Sequence, residues 1–155
     1  MPFNVGDAAP DFQLPNAHPS LGGPEMGLSD VLTDKGAIVV FSCLHCPYVV
    51  GNIGRIDDLA NRASQAGLGF VAINSNAANP QYLSDSAANT RAACEKGIPY
   101  PFLIDGEQSD GLASGERTWV TLDEGMRRSV GIDLHAIVTG YAVPINSSGQ
   151  VSLFL

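Results

Sequence analysis

The segment Cys43-Leu44-His45-Cys46-Pro47 is where this chain could do chemistry. Two cysteines with two residues between them, opening a helix, lie one turn apart. Their sulfurs can close a small disulfide ring with little backbone movement. Cys43 would sit at the helix N-terminus, where unpaired N–H groups and the helix dipole stabilise a thiolate. His45 can add positive charge or a hydrogen-bond donor, which would favour the reduced form and make the couple more oxidising. In this reading Cys43 attacks a substrate disulfide, Cys46 resolves the mixed disulfide, and no cofactor beyond the dithiol is needed.

Other readings of the same residues compete with it. A Cys-x-x-Cys can be half of a zinc site, but there is no second such pair, and His18 and His135 lie far apart in sequence. Two buried, inert cysteines fit poorly with a strand-to-helix junction. The third cysteine, Cys94, reads as a small half-buried helix residue, with a resolving thiol for a peroxide-reducing cysteine as the sharper alternative. His135 reads as a structural histidine, and Trp119 as core or interface. By helical phase, Asp57 and Asp58 fall on a solvated face.

The elements that must hold this turn are legible around it. Gly36-Ala37-Ile38-Val39-Val40-Phe41 is an unbroken apolar run, as in a strand buried on both faces. After Pro47, residues Val49, Ile53, Ile56, Ala60 and Ala63 recur at helical spacing, and Gly67 stops the helix. Pro47 suits a first helical turn, whereas Gly51 and Gly54 weaken the interior. A second buried strand covers 68–74, a helix 81–96 and a third strand 100–105. This β-α-β-α-β order implies a parallel sheet with right-handed crossovers. Earlier, Asp11 to Pro15 reads as a short edge strand, and Gly27 to Leu32 as one helical turn capped by Ser29 or Asp30. Later, 118–130 has weak helical periodicity. Residues 134–146 are β-rich, and Ser147-Ser148-Gly149 turns the chain into a hairpin with 151–155.

Composition excludes several function classes. The 155 residues carry 8 Lys and Arg against 16 Asp and Glu, a formal charge of −8. A pI near 4.5 argues against nucleic acid or an anionic membrane surface as partner. Charged residues at 15% and hydrophobic ones at 45% describe one globular domain, 1–155. Three cysteines are too few to staple a fold, so their chemistry is local. No apolar run approaches the ~20 residues of a spanning helix, and the first residues lack a leader pattern. The expectation is a cytoplasmic protein, with a mature periplasmic or secreted form as the alternative.

With these motifs in place, the chain resembles the thioredoxin-like superfamily. It is most similar to the redoxin branch that holds alkyl-hydroperoxide-reductase/thiol-specific-antioxidant proteins and small thiol–disulfide oxidoreductases. Residues Val5-Gly6-Asp7-Ala8-Ala9-Pro10-Asp11-Phe12-Gln13-Leu14 match that branch's opening G-x-x-A-P-D-F-x-L. Phe41 to Val49 is similar to the active-site turn of a bacterial thioredoxin-family subgroup, and Gly69 to Asn76 to the following strand and loop. The resemblance covers 5–105 and implies an α/β sandwich of three layers, a central mixed sheet flanked by helices. It also implies Cys43 as nucleophile, Cys46 as resolving thiol and a disulfide-bearing protein or small molecule as partner.

The divergent part, 106–155, departs from that pattern. Aligning Ile145 to Val151 with the family's hairpin puts Thr139-Gly140 where a substrate-docking Thr-cis-Pro is expected, opposite Pro47 and the cysteines. The family's final helix finds no counterpart. This predicts an uncovered sheet face and a possible homodimer through it. Thiol–disulfide exchange is the leading activity. A peroxidase is the alternative within the branch, although Val40 stands three residues before Cys43 where such sites carry Thr. A copper carrier using Cys43, Cys46 and His135 is the alternative outside catalysis, with cysteines one residue closer than such carriers use.

Overall fold

The computed structural model describes residues 5–9, 11–74, 76–77, 82–105 and 141–152. Its centre is the apolar run read above: β3 (Ala37–Ser42) is buried along its whole length. On one side β3 pairs in parallel with β4 (Gly69–Asn74), which pairs in parallel with β5 (Phe102–Ile104). On the other side β6 (Tyr141–Ile145) pairs with it antiparallel. The sheet order β5-β4-β3-β6 is therefore mixed, as expected. Pro144 lies in β6, the last named strand of this order, and its carbonyl accepts from the Ser152 amide at 3.0 Å.

Two layers cover the sheet. On one face, β1 (Gln13–Pro15) and β2 (Glu25–Gly27) form an antiparallel pair, followed by the short helix α1 (Leu28–Val31). Leu14, Met26, Leu28 and Val31 pack there with Val39, Val71 and Leu103. On the other face, α3 (Ile53–Ala66) and α4 (Ala87–Glu95) bring Ala60, Ala63 and Cys94 against Ile38, Phe70 and Tyr100. The expected bare sheet face is thus corrected for the described strands. The N-terminal β1–β2–α1 unit fills it. Within the first helical turn, Asp30 accepts from the Gly27 amide at 2.8 Å, so it caps from inside α1.

The helix expected to run from Pro47 to Gly67 is broken. A single turn, α2 (Pro47–Val50), ends at Gly51, and Asn52 donates its side-chain amide to the Tyr48 carbonyl at 2.7 Å. That local bond competes with the helical ladder. α3 then restarts and ends in a left-handed Gly67 (φ 79°), whose amide reaches the carbonyls of Ala63 and Ser64. The 81–96 helix begins only at Ala87, with Ser86 as N-cap accepting from the Asn89 amide. Among the described residues the expected C-terminal hairpin is present as a bridge between Ile145 and Val151, with the Asn146 amide donating to the Gln150 carbonyl at 2.8 Å and the Ser152 amide to the Pro144 carbonyl at 3.0 Å. The helix expected at 118–130 lies outside the described residues. Among the described residues no helix is long and apolar enough to cross a membrane.

The solvated face expected for Asp57 and Asp58 holds for only one of them. Asp58 is exposed, 3.9 Å from Arg62. Asp57 is half-buried, its Oδ1 has no hydrogen-bond partner, and loss of solvation pushes its carboxyl above the usual range. A folded-state value above the unfolded one means that ionising Asp57 costs stability. The cost is absent below about pH 4 and complete once the pH passes the folded value. Asp57→Asn should therefore raise Tm slightly at pH 7, with the gain fading towards pH 3.5. Melting curves at the two pH values check this, and equal gains at both would refute it.

Candidate active site

The site is built where β3 and β4 end side by side, with Ser42 in register with Asn74. Cys43 leaves the tip of β3, and Cys46 immediately precedes α2, with Pro47 at its first position. The Cys46 amide donates to Cys43 Sγ at 3.3 Å, which closes the turn on itself. Cys43 is 2% exposed and Cys46 is half-buried.

A residue absent from the sequence reading organises this turn. Asp85 ends a 3₁₀ turn (Leu83–Asp85) before α4 and is 0% exposed. Its Oδ1 accepts from the amides of Leu44 at 2.7 Å and His45 at 3.0 Å. Its Oδ2 meets His45 Nδ1 in a short hydrogen bond. The other face of the site is aromatic: Tyr82 stacks on the His45 ring at 4.1 Å between centroids and 12° between planes. A buried carboxylate is tolerated because three donors converge on it.

Asp85 is itself positioned from β4. Asn74 donates its side-chain amide to the Asp85 carbonyl and to Thr90 Oγ1, both at 2.8 Å. Thr90 returns a bond to the Ser86 carbonyl at 2.9 Å. Asn74 Oδ1 accepts from the Asn76 amide at 3.0 Å. The last residue of β4 thus ties together the 3₁₀ turn, the start of α4 and, through Asp85, the cysteine turn. One sequence signal was usable. Ser86 before an alanine pair marks a helix start, and this leaves Asp85 outside the helix.

Cys43, His45 and Asp85 each place one ligand-type atom within 4.8 Å of the others. Both Asp85 oxygens take donors from the turn, two amides and the His45 ring. His135, Thr139 and Gly140 lie outside the described residues, as does the copper set that needs His135. No cis peptide bond occurs among the described residues. His18 is structural: its Nε2 lies 2.8 Å from the Ile98 carbonyl and its Nδ1 2.9 Å from Ser20 Oγ. Cys94 belongs to the core under α4, where burial pushes its thiol up to about 11. At 3% exposure it lies deeper than the half-buried helix residue expected.

A mixed sheet with helices on its face and a Cys-x-x-Cys turn leaving the central parallel strand define a thioredoxin-like protein. Solved structures share this fold. A protein from Geobacillus kaustophilus, described as an uncharacterized conserved protein, superposes with a TM-score of 0.71 at 29% identity, over 96% of this chain and 67% of that one. A hypothetical protein from Sinorhizobium meliloti 1021 gives 0.70 at 24% identity, over 97% and 69%. The thioredoxin domain of a thiol-disulfide oxidoreductase from Bacteroides vulgatus gives 0.63 at 12% identity, over 97% and 86%. Among the curated proteins none matches. The Redoxin family profile matches residues 4–152, and the chain belongs to the Redoxin family. That match reaches well beyond the 5–105 on which the motif resemblance rested.

Proposed function

We propose that this protein is a thiol–disulfide oxidoreductase working through a Cys43–Cys46 couple. The observation that carries the reading is the closed turn, in which the Cys46 amide reaches Cys43 Sγ at 3.3 Å at the exit of the buried β3 strand. One turn of separation lets the sulfurs join and part without disturbing the sheet. Membership of the Redoxin family supports the same chemistry, as does the name of the Bacteroides vulgatus neighbour.

In the reducing direction one thiolate attacks a substrate disulfide, forming a mixed disulfide and releasing one substrate thiol. The second cysteine attacks the bonded protein sulfur and releases the other. The protein dithiol becomes a disulfide, and the substrate disulfide takes up two electrons and two protons. The reverse sequence oxidises a substrate dithiol, and the couple's potential sets the direction. Insulin reduction with dithiothreitol as electron source tests the reading. Wild-type protein should accelerate the reaction and the Cys43→Ser/Cys46→Ser double variant should not; equal rates for the two would remove it.

A further inference from the structure

Resting on that reading, we infer that Cys46 makes the first attack and Cys43 resolves, the reverse of the order implied by the family resemblance. Access separates the two sulfurs. Cys43 is 2% exposed, whereas Cys46 is half-buried and is followed by exposed Pro47 and by Tyr48, 82% exposed. An incoming disulfide must approach the attacking sulfur in line with its own S–S bond, so a sulfur without surface cannot begin an intermolecular exchange. Resolution carries no such demand, because the resolving sulfur is already one turn away.

The donors around Cys43 point the same way. A thiolate here would draw on the amides that follow it in the turn. Those of Leu44 and His45 are aimed instead at Asp85 Oδ1, while the Cys46 amide donates to Cys43 Sγ. The Asp85 carboxylate also has an oxygen within 4.8 Å of that sulfur, where it opposes a second negative charge.

The steps balance. The Cys46 thiolate attacks the substrate disulfide; its S–S bond breaks, and the departing substrate thiolate takes the proton Cys46 gave up. Cys43 then attacks the Cys46 sulfur of the mixed disulfide, and its proton ends on the second substrate thiol. The products are the Cys43–Cys46 disulfide and two substrate thiols.

The test is competitive alkylation of the reduced wild-type chain with iodoacetamide, followed by peptide mass spectrometry, which needs no variant to fold. Cys46 should be modified at least about tenfold faster than Cys43. With 5,5′-dithiobis(2-nitrobenzoate), Cys43→Ser should hold a long-lived mixed disulfide on Cys46, while Cys46→Ser reacts at least about tenfold more slowly. Faster alkylation of Cys43, or a mixed disulfide that persists on Cys43 in Cys46→Ser, overturns the inference. A protein that reduces insulin yet shows Cys43 reacting first overturns this inference alone. One that alkylates first at Cys46 yet leaves insulin intact bears out the order of reactivity and removes the exchange activity.

Discussion

Replacing Asp85 with alanine should cost about 3 kcal/mol of stability and slow exchange through the cysteine turn by about 100-fold. The stability loss follows from the donors left behind. Removing the carboxylate strands the amides of Leu44 and His45 and the His45 ring N–H in a place that Asp85 now fills at 0% exposure. Each stranded buried donor costs roughly 1–3 kcal/mol, with entering water recovering part of the sum. The loss of rate follows from position. The same three bonds hold the loop between the cysteines, and displacement of a reacting group by about 1 Å can lower a rate by about two orders of magnitude.

Asp85→Asn separates the contributions. Its Oδ1 can still accept from both amides, but its Nδ2 can pair with His45 Nδ1 only if the ring moves its proton to Nε2. The stability cost should fall to about 1 kcal/mol, with much of the activity retained. Urea denaturation with an unchanged m-value measures the stability difference, and insulin reduction the rate. An alanine variant within 0.5 kcal/mol of wild type would show that the turn holds its shape without Asp85.

The second large effect is expected far from the cysteines. Gly69→Ala should destabilise the fold by about 3 kcal/mol and lower Tm by roughly 10 °C. Gly69 opens β4 opposite Ala37 and bonds back to the Gly36 carbonyl at 3.0 Å. A Cβ built there would lie 1.8 Å from the Val31 carbonyl oxygen and 2.8 Å from its carbon. Val31 is the last residue of α1, and its side chain is buried in the core beneath. The obstacle is backbone, which cannot rotate aside as a side chain would, so either α1 must lift from the sheet or β4 must shift along β3. Gly54, where an added Cβ meets nothing within 4 Å, supplies the control. Gly54→Ala lies in α3 and should leave stability equal or slightly higher. Thermal melts of the two variants check the pair, and similar Tm values for both would refute the close approach.

Much of the fold was legible because its strongest elements are local in sequence. The apolar run 36–41 contains no polar interruption, and a strand buried on both faces is the arrangement that tolerates this. It is β3. The run at 68–74 is likewise β4, and Cys43 to Pro47 falls at the strand-to-helix junction that its residue types required. Less legible were elements whose reason is distant. The β2 strand is three residues, Glu25-Met26-Gly27, with no alternation of its own, and it exists because β1 pairs with it over the sheet. The break at Gly51–Asn52 arises from one side-chain bond to Tyr48, which competes with an otherwise regular helical spacing.

The sequence by itself determined the chemistry on offer: two thiols one turn apart beside an imidazole, in an acidic chain. It also determined the strand that presents them, because residue type and spacing act over a few positions. The tertiary structure alone decided how those groups are used. Asp85 is forty residues from His45, and nothing near either one specifies that they meet. They meet because β4 lies beside β3 and Asn74, at its end, pins the 3₁₀ turn against the cysteine loop. Burial of Cys43 and partial exposure of Cys46 were settled in the same way, since a sulfur's access to solvent depends on what packs over it.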